Sequence, residues 1–206
     1  LLYPKDKGDI VIETDASTGT GIGGIEMIDD GNYYGITYQN LPNWPKENRP
    51  DIVFLELMAV YVMLKIQPQR YKNKAILLRV DNEAVCAIIR KKSACLERKD
   101  LQQLIRLICE IAIKNQFYFW IKWISTKDNK RADGLSRAEA TALQTCNNKR
   151  MRPRNIEAMK YAAIAIETYK KARKNMHRHK QMTKQCQCEN EILCKDQPLY
   201  RKWRSN

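Results

Sequence analysis

Four acidic residues, Asp15, Glu56, Asp81 and Asp133, stand where the ends of regular elements would bring side chains together. Asp15 follows a strand pattern over residues 9–14, and Asp81 follows another over 74–80. Glu56 falls one turn into the first helical pattern, and Asp133 lies near the start of the last. If the two strands are parallel neighbours, their C-terminal ends lie side by side and all four carboxylates converge at one sheet edge. Such a cluster repels itself unless cations neutralise it. Hard divalent ions with oxygen ligands suit it, magnesium first, with manganese as a substitute. Two such ions about 4 Å apart activate a water and stabilise the leaving oxygen of a phosphodiester. The chemistry expected is therefore phosphodiester hydrolysis. Each acid taken singly has an ordinary alternative as a turn residue, a helix cap or an exposed helical charge, so the case rests on the placement of all four.

The elements that must do this positioning are legible in the periodicity. Strand patterns at 9–14, 23–27 and 33–38 are separated by the Gly- and Thr-rich turn 17–24 and by Asp29-Asp30-Gly31-Asn32, and they predict an antiparallel meander. Residues 41–50 hold three prolines and read as a loop. From Asp51, a candidate cap, Val53, Leu57, Val60, Tyr61 and Leu64 recur at three- and four-residue steps, which predicts a helix with one apolar face. A doubly apolar strand at 74–80 reads as central. Helices at 82–91 and 99–115, a strand at 117–124 and a short helix within 128–137 complete the order β-β-β-α-β-α-α-β-α. That order predicts an α/β fold with a five-stranded mixed sheet flanked by helices.

Four blocks carry a resemblance to a known family. They are Thr14-Asp15-Ala16-Ser17 with Gly19, Gly21, Gly23 and Gly24; residues 51–60 around Leu55-Glu56-Leu57; Val80-Asp81-Asn82-Glu83-Ala84-Val85; and Asn129-Lys130-Arg131-Ala132-Asp133-Gly134-Leu135-Ser136-Arg137. In this order and spacing, over roughly residues 9–140, the chain resembles the RNase H domain of reverse-transcribing elements, most closely the DIRS-like, tyrosine-recombinase retroelements. The fourth block is the most specific. The resemblance implies an RNase H-like fold in which Asp15, Glu56, Asp81 and Asp133 hold two Mg2+ ions. It implies cleavage of the RNA strand of an RNA–DNA hybrid, with a reverse transcriptase domain adjoining. Glu56 would also sense a ribose 2′-hydroxyl. One departure stands out: where many cellular members carry a His before the last Asp, this chain has Ser125-Thr126-Lys127-Asp128. Its two histidines are His177 and His179.

Substrate contacts are expected from Ser17, Asn82 and Asn129 beside the acids and from the basic cluster Arg90-Lys91-Lys92. Asn82 serves equally well as a helix cap, and the basic cluster as charges at a helix C-terminus. Arg98 and Lys99 could add to the phosphate grip. Trp120 and Trp123, three apart in a strand, point to opposite faces and are not assigned to base stacking.

Charge divides the chain. Residues 1–145 hold 21 Lys and Arg against 18 Asp and Glu, a net of +3, whereas residues 146–206 hold 16 against 5, a net of +11. We expect a catalytic domain over 1–145 and a basic extension over 146–206, partly helical, serving as linker or nucleic-acid contact. Ile156, Met159, Ala163, Ile166 and Tyr169 form a helical stripe there, and the chain from Lys174 reads as irregular. His177, His179, Cys186, Cys188 and Cys194 match no common zinc spacing. The scattered cysteines read as reduced thiols of an intracellular protein, in cytoplasm or nucleus. No apolar run is long enough to cross a bilayer. The absence of an initiator Met suggests a piece of a longer polypeptide. Two other functions compete: an inactive nucleic-acid-binding module of the same fold, and a DNA-cutting, integrase-like enzyme. Oligomeric state is not legible.

Overall fold

The computed structural model describes residues 8–139, 141–142 and 150–195, with side chains through residue 175. Its sheet comprises β1 (Ile10–Ala16), β2 (Gly21–Glu26), β3 (Asn32–Thr37), β4 (Ala75–Val80), β5 (Tyr118–Trp123) and β6 (Arg152–Pro153). Five helices accompany it: α1 (Ile52–Ile66), α2 (Glu83–Lys91), α3 (Lys99–Lys114), α4 (Lys130–Ser136) and α5 (Asn155–Lys195). The expected α/β class and element order are borne out. The sheet, however, has six strands in the order β5-β4-β1-β2-β3-β6. The sixth is a two-residue Arg-Pro step pairing parallel with β3, too short and too polar to register as a strand pattern.

β1 pairs antiparallel with β2 and parallel with β4, through Ile10↔Ile76 to Glu13↔Arg79. Two residues beyond that last pair, the two chains carry Asp15 and Asp81. The neighbouring strand ends assumed from the sequence are thus present.

α1 begins on the expected cap, where Asp51 Oδ1 accepts from the Phe54 amide at 3.0 Å. It is not the one-faced helix its periodicity suggested. Phe54 through Leu64 are all buried, because the sheet covers one side and other helices the rest. Glu56 is the one charged side chain in that buried stretch. α4 lies on the opposite face of the sheet. Gly24 looks toward Tyr34 and Met63, whereas its neighbour Gly23 looks toward α4, as alternation along a strand requires. A Cβ on Gly23 would come within 2.6 Å of Leu135 Cβ and 2.7 Å of the Ala132 carbonyl oxygen. The missing side chain is what lets α4 seat on β2.

The compact unit runs through Tyr169, past the expected boundary at residue 145. Ala158, Ala162, Ala165, Ile166 and Tyr169 join the core. Tyr169 stacks obliquely on Phe54 at 5.0 Å, and its hydroxyl donates to the Asn48 carbonyl at 2.9 Å. Ile156, expected on the apolar stripe, is 79% exposed. The buried stripe is mostly alanine, a weak hydropathy signal that permits close approach. α5 also runs through to Lys195, where irregular chain was expected after Lys174. The stretch from Asn155 to Lys195 holds neither Pro nor Gly, so nothing breaks the helix. Lys170 begins a second unit. The side chains of His177, His179, Cys186, Cys188 and Cys194 lie outside those described. Cys86, Cys95 and Cys109 are free thiols. Among the described residues, no helix is long and apolar enough to cross a membrane.

Candidate metal centre

Asp15, Glu56 and Asp81 each present a carboxylate oxygen within 4.8 Å of the other two. β1 delivers Asp15 in its last turn of pleat, opposite Gly23. β4 delivers Asp81 one residue past its end. α1 brings Glu56 from the buried side. Asp15 and Glu56 are 4% and 3% exposed, and Asp81 is partly exposed. The cluster therefore has two acids within the fold and one facing out.

Electrostatics follow from that placement. Burial first, and the charges of Asp15 and Asp81 in the same direction, push the Glu56 carboxyl from its ordinary 4.5 up to about 9. A main-chain hydrogen bond from Ala16 opposes them weakly. Burial likewise raises Asp15 to about 6, against a lowering hydrogen bond from Ser136, with Asp81 and Asp133 adding repulsion. Glu56 Oε2 is buried and has no hydrogen-bond partner. A buried polar atom without a partner is normally avoided, because desolvation costs about 1–3 kcal/mol. An oxygen-seeking cation supplies the missing partner and reverses the repulsion. The donor set, three carboxylates with one orphaned oxygen, fits a hard divalent ion.

The other expected residues divide. Asp133 stands outside the group of three and accepts from Arg137 Nε at 2.8 Å. It acts on Asp15 and Glu56 through its field. Asn82 is partly exposed beside Asp81 and caps α2, accepting from the Val85 amide at 3.2 Å. Ser17 Oγ accepts from the Gly19 and Thr20 amides at 3.3 and 3.1 Å and so shapes the β1–β2 turn. Arg90, Lys91 and Lys92 are exposed around the end of α2, with Lys92 Nζ 4.8 Å from the Phe119 ring centre. Asn129 departs from expectation. It is fully buried, and its amide donates to the Thr14 carbonyl at 3.0 Å. Asn129 thus joins the loop before α4 to β1 rather than offering a group to substrate. Arg98 is also committed elsewhere, bridging Asp51 at 2.8 Å and Asp100 at 3.0 Å.

Three further neighbours of the acids carried little local signal. Ser136 Oγ donates to Asp15 Oδ2, Thr126 Oγ donates to Asp81 Oδ2 at 2.8 Å, and Trp123 Nε1 donates to the Asp81 carbonyl at 3.0 Å. Only the position of Ser136 inside the fourth block could have pointed to it.

No protein-family model matches the chain, and no curated protein matches it. Solved structures do. The RNase H1 of the halophilic archaeon Halobacterium salinarum NRC-1 is 19% identical, with a TM-score of 0.47 over 63% of this chain and 96% of that one. LC11-RNase H1 in complex with an RNA/DNA hybrid is 17% identical, with a TM-score of 0.48 over 62% and 93%. A foamy viral protease–reverse transcriptase in complex with dsDNA is 13% identical, with a TM-score of 0.43 over 68% and 98%.

Proposed function

We propose that this chain is a metal-dependent endonuclease that hydrolyses the RNA strand of RNA–DNA hybrids, as a ribonuclease H working beside a reverse transcriptase domain in a DIRS-like retroelement. The observation that carries the reading is Glu56, a buried carboxylate with an unpartnered oxygen, gathered with Asp15 and Asp81 within 4.8 Å. Structural acids in a core have their oxygens satisfied, and one oxygen of Glu56 is not. The four sequence blocks supply the hybrid specificity and the retroelement setting.

Asp15, Glu56 and Asp81 would hold the metal, Mg2+ by preference, with Asp133 completing the ligand set for a second ion. Bound there, the ions would supply an activated water and charge stabilisation at the leaving oxygen. Glu56, buried below the cluster, also accepts from a ribose 2′-hydroxyl, one basis for choosing RNA over DNA. Asn82 uses its carbonyl oxygen as a cap, which leaves its amide nitrogen for a base edge or sugar. Ser17 adds a neighbouring contact at the turn. Arg90, Lys91 and Lys92 grip phosphates across the groove. The DNA-cutting alternative is tested beside the leading reading.

A single assay separates them. Labelled RNA–DNA hybrid, single-stranded RNA, duplex RNA and duplex DNA are incubated with the protein in Mg2+, with EDTA and Asp81→Asn as controls. Cutting of the hybrid's RNA strand alone, lost in both controls, is expected. Cutting of duplex DNA would favour the integrase-like reading. Tight hybrid binding without cutting would favour the inactive module.

A further inference from the structure

The loop from Ile124 to Asn129 lacks a histidine, and its own residues are tied to both strand ends of the acidic cluster. We infer that the segment from the end of β5 through α4 is a preformed clamp in which Thr126 and Ser136 act as positioning residues for Asp81 and Asp15. This inference rests on the metal-centre reading above and assigns residues that the reading itself does not need.

The clamp is anchored at every point where it meets the acids. At its near end the Ile124 amide donates to the Val80 carbonyl at 2.9 Å, extending the β4–β5 ladder to the residue before Asp81. There Trp123 holds the Asp81 main chain and Thr126 its side chain. The turn that carries Thr126 is closed by the Asp128 amide on the Ser125 carbonyl at 2.9 Å. Ser125 Oγ on Asp128 Oδ2 at 2.7 Å closes it again. At its far end buried Asn129 bonds the Thr14 carbonyl, one residue before Asp15. α4 then starts, seats on Gly23, and brings Ser136 Oγ to Asp15 Oδ2. Ser136 Oγ also lies 2.8 Å from the Asp133 carbonyl, but its single proton serves the carboxylate, the closer of the two.

Each hydroxyl engages one carboxylate oxygen and fixes rotation of that group, so its second oxygen points in a defined direction. Partners of this outer kind orient metal ligands and account for much of a site's affinity. Glu56 is held instead by the Ala16 main chain, and its other oxygen is buried with no partner. Two ligands are therefore oriented by hydroxyls of this segment, and the third by main chain.

The test uses the full chain and Mn2+ alone, with free Mn2+ followed by electron paramagnetic resonance. Wild type is compared with Thr126→Val, which keeps shape and loses the donor, with Thr126→Ser, which restores it, and with Ser136→Ala. Thr126→Val and Ser136→Ala should each weaken Mn2+ binding by about 10–100-fold. Thr126→Ser should return it to near wild type, with thermal unfolding in EDTA little changed by the Thr126 variants and lowered modestly by Ser136→Ala, whose hydroxyl partners buried Asp15. Unchanged affinity in folded Thr126→Val and Ser136→Ala would overturn the clamp. Equal losses in Thr126→Ser and Thr126→Val would overturn it too, since packing rather than the hydroxyl would then matter. Hybrid cleavage run in parallel keeps the two ideas apart. Wild type that binds Mn2+ but leaves hybrid uncut refutes the nuclease reading, while the affinity ranking still decides the clamp.

Discussion

Glu26, at the end of β2, and Glu56, in α1, are both buried, at 0% and 3% exposure, and their surroundings differ in kind. Glu26 accepts from the Tyr71 hydroxyl at 2.6 Å and from the Asn32 amide and side chain at 3.0 and 3.2 Å. Arg70 lies 3.5 Å from it. Glu56 has an oxygen with no partner and two acids for neighbours. A fold can bury a carboxylate for stability by surrounding it with donors, or for function by leaving it short of them. In one molecule the first arrangement ties β2 and β3 to the segment after α1, and the second leaves a place for a cation.

The sharpest way to break that comparison is catalytic. Glu56→Gln, like Asp15→Asn and Asp81→Asn, should lower hybrid cleavage by roughly 10³-fold or more while the fold persists, since the metals supply several kcal/mol of transition-state stabilisation. Circular dichroism beside the cleavage assay checks both halves. Wild-type activity in any of the three would remove that acid from the site.

Stability should invert the order. Glu26→Ala strands Tyr71 and Asn32 inside the core and should cost about 3–5 kcal/mol in urea unfolding. Glu56→Gln removes the cost of keeping that carboxyl protonated in the fold and should stabilise the metal-free protein at pH 8. The sign follows from the shifts: unfolded, Glu56 releases its proton near 4.5, whereas folded it keeps it to about 9. Asp15, raised to about 6 from 3.8, acts in the same direction. The folded chain binds the extra protons, so this stabilisation is full below the unfolded values and is lost as pH rises toward 9. In EDTA, stability should fall between pH 5 and 9, and Glu56→Gln should flatten the fall. Stability that rises over that range would contradict the burial argument.

A smaller effect sharpens the role of α4. Gly23→Ala places a methyl against Ala132 and Leu135 and should cost about 1–3 kcal/mol. It should also reduce cleavage further than Gly24→Ala, which faces α1 instead. Equal loss of cleavage from the two would detach α4 from the site.

The smallest expected effect concerns the basic extension. Residues 170–206 hold 11 Lys and Arg against 3 Asp and Glu. Removing them should flatten the salt dependence of hybrid binding, and an unchanged slope would exclude them from the contact. Truncation at residue 145, by contrast, strips Ala158, Ala162 and Ile166 from the core and tests folding instead.

Much of this arrangement was legible beforehand. Alternation and turn chemistry marked five strands, the cap and apolar steps marked α1, and the strand ends marked Asp15 and Asp81. What stayed hidden has physical reasons. An alanine stripe in a basic segment carries little hydropathy contrast, so α5 read as an extension. Periodicity showed α1's apolar face but not that α3 packs on its other side and Tyr169 on Phe54. Asn129 sits in a polar run and reads as surface, although one long-range hydrogen bond buries it. The contacts of Ser136 and Thr126 join residues 121 and 45 positions from their acids, and no local pattern reports them.

The most direct test of the metal centre is calorimetric titration of Mg2+ into wild type, Glu56→Gln and the milder Glu26→Gln. Wild type should bind, Glu56→Gln should lose binding nearly completely, and whatever fraction of Glu26→Gln remains folded should retain it. Equal Mg2+ binding by wild type and Glu56→Gln would contradict the metal centre.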